Sequence, residues 1–197
     1  MRHGNISYPD RIPGRQEGIS LSDDGTKQAE YIVRHLKNQV VDKIYCSPLE
    51  RAIETAKPLS ESKKIPIEIK EELIEINFGR WTGNEFLKLE ENQEWKLFHT
   101  FRAGCAIPDG ETMIDVQLRI IKCIAQLWKS LPDKHIAIFS HNDVIKSLIA
   151  KISGISINLM NRIAINTGSI SKFEISERGE INLQYVNKTE SLQLTMI

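Results

Sequence analysis

Nothing in this chain is apolar for long enough to cross a membrane. No run approaches the roughly 18 residues of a span, and no basic-then-apolar leader opens it. Charge of one sign is missing as well. Lysine plus arginine and aspartate plus glutamate number 26 each, so there is no broad field to attract nucleic acid or an anionic membrane, and any anion site has to be local. Cysteine is scarce and odd in number. Cys46, Cys105 and Cys123 lack metal-ligand spacing, and Cys46 and Cys123 fall inside apolar patterns that predict burial, which fits a reducing compartment. Linkers rich in proline, glycine or serine, internal repeats and low-complexity tracts are absent too, and 197 residues suffice for one domain with a full core. Together these absences predict a soluble, cytoplasmic chain folded as a single domain over 1–197. They leave the oligomeric state open, a homodimer included.

What is present centres on Met1-Arg2-His3-Gly4 and two later stretches that answer it, Ser47-Pro48-Leu49-Glu50-Arg51-Ala52 and Phe139-Ser140-His141-Asn142-Asp143. Each of the later two follows a short apolar run and opens a helical pattern, so both can deliver side chains to one crevice at the carboxyl ends of strands. Lys43 to Cys46, Ile65 to Ile69 and His135 to Phe139 read as strands. The last is a continuous β-branched and aromatic run, which predicts burial on both faces. Strands alternating with helical patterns predict an α/β fold. Ser169 to Ile175 and Ile181 to Val186, on either side of Ser176-Glu177-Arg178-Gly179-Glu180, read as a hairpin. Asn5 to Ser20 has no periodicity and reads as a long loop, either a lid or a segment that touches substrate.

Several side chains have more than one reading. Ser47-Pro48-Leu49-Glu50 carries three helix-start signals, a Ser cap, Pro at the first helical position and Glu closing a capping box. Arg51 then lies in the first turn, where a cation opposes the helix dipole. It is either paired with Glu50 or Glu54 on a wet face or, with the free amides of the helix start, part of an anion site. Glu75 is flanked by Leu73, Ile74, Ile76 and Phe78, a setting that favours a protonated carboxyl group if it is buried. Taken alone it is also compatible with a surface loop. Arg15 is either solvated or close enough to reach a ligand anion. His141-Asn142-Asp143 permits a His-x-Asp metal pair, but no further ligands cluster with it at coordinating spacing. Gly83 to Phe101 reads as one charged helix, and the helix ending at Leu131 as a packing helix. His35 and His99 read as a boundary and a helix-terminus residue.

These motifs resemble the histidine phosphatase superfamily, in its phosphoglycerate-mutase-like branch, from Arg2 to about Leu183. The resemblance implies a three-layer α/β/α fold with a mostly parallel central sheet. Family members place an apolar strand before Arg-His-Gly, and only Met1 precedes it here, so a truncated first strand is expected. The resemblance also implies His3 as nucleophile, Arg2 and Arg51 as phosphoryl-binding cations with Arg15 as a further candidate, Glu75 as proton donor and His141 as the second active-site histidine. No metal or cofactor is implied. Asn142 replaces the family's usual Gly, and Thr82 stands where an acid is common. Pro108-Asp109-Gly110-Glu111-Thr112 resembles the family's Pro-Gly-Gly-Glu-Ser segment, so Glu111 either orients a catalytic group or serves the first turn of the next helix.

No clear match exists in Ile6-Ser7-Tyr8-Pro9 for an Asn characteristic of the mutases, and the chain lacks the mutases' extra length. The expected activity is therefore a phosphomonoesterase acting through a phosphohistidine on a small phosphorylated metabolite. The alternatives are a catalytically impaired phosphate-ester-binding module, a phosphoglycerate-mutase-type phosphotransferase and a phosphocarrier.

Overall fold

A computed structural model describes residues 1–8 and 10–190. Pro9 and residues 191–197 lie outside the described residues. The centre is a three-stranded parallel sheet of β1 (Lys43–Cys46), β2 (Ile67–Ile69) and β3 (Ile136–Phe139), in the order β2-β1-β3. Ile44 pairs with Ala137 and Cys46 with Phe139.

Side-chain alternation along these strands divides the core. Ile44, Cys46, Ala137 and Phe139 pack with Ile32 and Leu36 of α1 (Asp23–Leu36) and with Ala52, Ala56 and Leu59 of α2 (Glu50–Lys63). Tyr45, Ile136 and Ile138 belong to the opposite face. There they meet Val116, Ile120, Cys123, Ile124 and Leu127 of α5 (Met113–Ser130) and Val144, Ile149 and Ala150 of α6 (Asn142–Ile152). Because successive residues of a strand point to opposite faces, these short strands hold a helical layer on each side. Each fully buried Leu, Ile or Phe adds about 1.5–3 kcal/mol.

Several ends follow from local chemistry. Ser22 caps α1 by accepting from Gly25 N–H at 3.1 Å, and Asp23 and Asp24 occupy the first turn. Thr112 and Asp115 form a reciprocal capping box at the start of α5, which leaves Glu111 outside the helix, free for other bonds. Gly83 to Phe101 is two short helices instead of one, α3 (Phe86–Glu90) and α4 (Gln93–Thr100). Asn92 breaks the run because its side chain accepts from Trp95 N–H and caps α4. β2 begins at Ile67, two residues later than expected, after the turn in which Ser60 Oγ donates to Ile65 O. The hairpin forms as β4 (Ile170–Ile175) against β5 (Ile181–Lys188).

Residues 1–3 lie parallel beside the end of β3, although no apolar run precedes them. Ser140 N–H donates to Met1 O at 2.9 Å and His3 N–H to Ser140 O at 3.1 Å. On their other side Arg2 N–H donates to Ser169 O and Gly168 N–H to His3 O. His3 is thereby delivered level with His141, at the carboxyl end of the sheet. The long loop is pinned rather than loose: Ile12 is buried in the core, its N–H donates to Asn84 O, and its carbonyl accepts from Gly83.

Candidate active site

Four basic side chains converge where residues 1–3, β1 and β3 end. His3 is 4% exposed, and its Nδ1 lies 2.8 Å from its neighbour's carbonyl, Gly4 O. A carbonyl can only accept, so Nδ1 carries the hydrogen and Nε2 keeps its lone pair. Gly4 is held in turn, its N–H donating to Thr55 Oγ1 at 2.9 Å, and Thr55 Oγ1 donates to Arg51 O. The backbone after His3 also presses on the start of α1. A Cβ on Gly25 would fall 2.1 Å from Asn5 O, so only glycine fits there.

Arg51, the second residue of α2, is fully buried. The pairings with Glu50 or Glu54 left open by the sequence are not made: Glu50 Oε1 accepts from Gly18 N–H at 3.0 Å and Glu54 Oε2 from Leu21 N–H at 2.7 Å, both tethering the loop. Arg51 Nη2 donates to Gly14 O at 2.7 Å, while its Nε and Nη1 have no partner. Arg2 donates through Nη1 to Ile165 O at 2.6 Å and lies 3.5 Å from Asn142 Oδ1, and its Nε is also buried without a partner. Unpaired buried N–H groups each cost about 1–3 kcal/mol, and cationic ones more. Three of them beside His3 amount to a preformed demand for an anion.

His141 is fully buried, the residue before α6, with its ring centroid 5.1 Å from that of His3. Its Nε2 lies 2.7 Å from Ser47 Oγ. Ser47 is therefore not the helix cap that its sequence context suggests. Helix α2 starts at Glu50 without a side-chain cap, and the hydroxyl instead reaches across to the second histidine. His141 Nδ1 has no hydrogen-bond partner and faces Glu75 Oε2 at 4.0 Å. Glu75 is 7% exposed, and its Oε1 accepts from Ile76 N–H at 3.0 Å.

The electrostatics follow from burial between cations. Desolvation, then the charges of Arg51 and Arg2, push the His3 imidazole down to about 3, with the Gly4 bond opposing. His141 is held well below its ordinary value by burial first, then by the neighbouring His3 and the charges of Arg51 and Arg2. Desolvation, reinforced by Asp143 and opposed by Arg51 and Arg2, pushes the Glu75 carboxyl up to about 7. Near neutrality the site thus holds two uncharged imidazoles, two guanidinium cations and a carboxyl group that can give or take a proton.

The remaining candidates separate. Arg15 is committed to other partners: its Nε donates to Glu75 O and its Nη2 to Glu111 Oε2, each at 2.7 Å, so two guanidinium nitrogens are taken before any ligand arrives. Asp143 faces Arg102 at 3.4 Å rather than forming a metal pair with His141. Among the described residues no group of three or more His, Cys, Asp or Glu side chains is placed to hold a metal ion. Ser47, Thr55 and Asn142 were missed from sequence. Ser47 had a signal, since it shares a motif with Arg51, but its hydroxyl was assigned to the helix.

The family model for the histidine phosphatase superfamily (branch 1) matches residues 1–189. The chain belongs to that superfamily. It is 26% identical to phosphoserine phosphatase 1 of Hydrogenobacter thermophilus, over 87% of this chain and 83% of that one. It is 29% identical to the adenosylcobalamin/alpha-ribazole phosphatase of Escherichia coli, over 90% and 89%. Among solved structures, phosphoserine phosphatase of Entamoeba histolytica in complex with 3-phosphoglyceric acid superposes with a TM-score of 0.86 at 26% identity, covering 96% of this chain and 95% of that one. These full-length matches bear out the α/β fold of phosphoglycerate-mutase type and the phosphomonoesterase expectation.

Proposed function

We propose that this histidine phosphatase hydrolyses small phosphomonoesters in two displacements at His3. The observation that carries the reading is the set of unpaired guanidinium N–H groups on Arg2 and Arg51 beside an imidazole whose Nε2 is free. In the first step Nε2 attacks phosphorus, the bond from phosphorus to the ester oxygen breaks, and the Glu75 proton passes to that oxygen, leaving a phosphohistidine and an alcohol. In the second step water attacks phosphorus, the N–P bond breaks, and the Glu75 carboxylate takes the water's proton. Orthophosphate leaves and the starting protonation returns. Arg2 and Arg51 supply donors to the three equatorial oxygens, which carry the spread charge of a loose transition state. If Ser47 gives its hydroxyl hydrogen to His141 Nε2, the hydrogen of that ring sits on Nδ1, the side facing Glu75, as a further donor.

Relatives named for phosphoserine and alpha-ribazole phosphate support a small phosphorylated metabolite as the substrate class. The test is metal-free hydrolysis of an aryl phosphate by the wild type and by His3→Ala, with the intermediate trapped by acid-labile, alkali-stable phosphate labelling. Turnover and labelling that both vanish in the variant support the reading. Phosphate-ester binding without turnover in the wild type overturns it in favour of a binding module, and a phosphoenzyme that persists in water points to a phosphocarrier.

A further inference from the structure

Glu75 has no regular element beneath it. It sits between two single 3₁₀ turns, Glu71–Leu73 and Gly79–Trp81; Leu73 and Ile76 anchor the segment in the core and Ser140 Oγ holds the Leu73 carbonyl at 2.7 Å, but no helix or strand runs through Glu75 itself. What fixes it is a pair of side chains from distant loops. Arg15 Nε donates to the carbonyl of Glu75 itself, at 2.7 Å. Arg15 Nη2 donates to Glu111 Oε2, which also accepts the Asn77 N–H at 2.9 Å, while Glu111 N–H returns a bond to Asn77 O at 3.0 Å. Arg119 closes the arrangement from α5, donating to Glu111 Oε1 at 3.1 Å and to the carbonyl of Glu72. The segment is thus gripped at Glu72, Glu75 and Asn77, with the one carboxylate of Glu111 shared among the grips.

The same turn that carries Arg15 also touches the phosphate side. Gly14, its neighbour, accepts from Arg51 Nη2. Gly14 has φ +48°, and a Cβ there would lie 2.7 Å from Thr82 Oγ1, so the turn is seated in one place. Two consecutive residues therefore connect the phosphoryl-binding guanidinium to the carboxyl group 60 residues further along.

We infer that Arg15 and Glu111 are positioning residues for the general acid: together they set where Glu75 stands relative to the ester oxygen, and Arg15 is not a phosphate ligand. This rests on the two-step reading above. Arg15's planar fork matches two acceptors at fixed separation, which Lys cannot reproduce. A misplaced acid costs most where the departing oxygen needs a proton most.

The experiment compares two esters, an alkyl phosphate, whose alkoxide leaves only when protonated, and nitrophenyl phosphate, whose phenolate leaves with little help. The proteins are the wild type, Arg15→Ala, Arg15→Lys and Glu111→Gln, each checked for fold by circular dichroism and thermal melting. The expected result is a loss of kcat/KM at least about tenfold larger on the alkyl ester than on the aryl ester in all three variants, with no recovery in Arg15→Lys and with inhibition by inorganic phosphate changed by less than about threefold.

Equal losses on both esters with weakened phosphate inhibition would make Arg15 a phosphate ligand and overturn the inference. Equal losses with unchanged inhibition would reduce the pair to packing and overturn it too, as would no loss at all. If Arg15→Ala fails to fold, Glu111→Gln decides alone, since it keeps the shape and one acceptor. A wild type inert on both esters sinks the underlying phosphatase reading. A wild type active on both, with variant losses that ignore the leaving group, sinks only this one.

Discussion

The two halves of the site are built differently. On the phosphoryl side every group stands at the end of a regular element: Arg2 and His3 beside the end of β3, His141 between β3 and α6, and Arg51 in the first turn of α2. On the acid side Glu75 hangs from irregular chain and is held by Arg15, Glu111 and Arg119. The carboxyl end of a sheet can place an attacking nitrogen and its cations to within the tolerance that in-line attack requires. An acid that must meet leaving groups of varied shape is instead mounted on loops, where small changes of side chain move it.

The comparison is broken most severely at the nucleophile. His3→Ala removes the attacking imidazole lone pair beside the two arginines and should lower turnover by on the order of 10⁴-fold or more on every ester. Phosphate binding should survive, because Arg2 and Arg51 keep their unpaired N–H groups. Steady-state hydrolysis and equilibrium binding of orthophosphate measure the two separately. Loss of both together would mean that His3 holds the pocket open rather than attacking.

Glu75→Gln tests the other half. With alkyl esters kcat/KM should fall by about 10²–10⁴-fold, and with nitrophenyl phosphate by much less. The acid is protonated below about 7, so wild-type kcat/KM on alkyl esters should decline as pH rises through that value, and the variant's profile should lack the decline. Stability carries the same sign. Burial raises the folded-state value from 4.5 to about 7, against the attraction of Arg51 and Arg2. The folded protein therefore holds more protons than the unfolded one in that window, and the contribution is present below 4.5 and lost as pH rises to about 7. Glu75→Gln should accordingly melt above the wild type at pH 8, with the difference closing below pH 4.5. His3 titrates oppositely, its folded value lying at about 3 against 6.5, so the wild type alone does not isolate Glu75 and the pairwise difference does.

The contrast between the halves also decided what could be read from sequence. Contiguous motifs gave away the phosphoryl side: those of Arg51 and His141 each follow a strand, with the one expected at His135–Phe139 forming over Ile136–Phe139, and Arg2-His3 was legible by its motif alone. The acid side depends on bonds across 60 residues from Arg15 to Glu75 and 96 from Arg15 to Glu111, which no local pattern encodes. A local clue existed for Glu111. Thr112-x-x-Asp115 is itself a capping signature, and recognising it places the helix start after Glu111 and releases that carboxylate. Ser47-Pro48-Leu49-Glu50 misled for the complementary reason: its signals were genuine, but the hydroxyl found a buried imidazole at 2.7 Å and accepts only a long bond, 3.4 Å, from the Leu49 N–H rather than capping the helix.

Arg51→Met sharpens the distinction between function and stability on the phosphoryl side. Losing a donor fork at the equatorial oxygens should lower kcat/KM by about 10²–10³-fold and weaken phosphate inhibition. The same change removes a fully buried guanidinium with two unpaired nitrogens and substitutes an apolar chain of similar length. The ligand-free protein should become more stable by about 1–3 kcal/mol, visible as a raised Tm without phosphate. A lowered Tm would show that the bond to Gly14 O contributes more than the orphaned nitrogens cost.

The smallest effect falls at Ser47, where one hydrogen bond separates a positioned imidazole from a free one. Ser47→Ala leaves His141 Nε2 without a partner in a fully buried site. If Ser47 fixes the hydrogen on Nδ1, removing it lets the ring take the other tautomer in a fraction of molecules and withdraws the donor that faces Glu75 at 4.0 Å. A net hydrogen bond of about 1 kcal/mol corresponds to a loss of up to about tenfold in kcat/KM. The loss should be shared equally by alkyl and aryl esters, because His141 serves the phosphoryl group and not the leaving oxygen. A loss confined to alkyl esters would move Ser47 and His141 to the acid side and erase the division between the two halves.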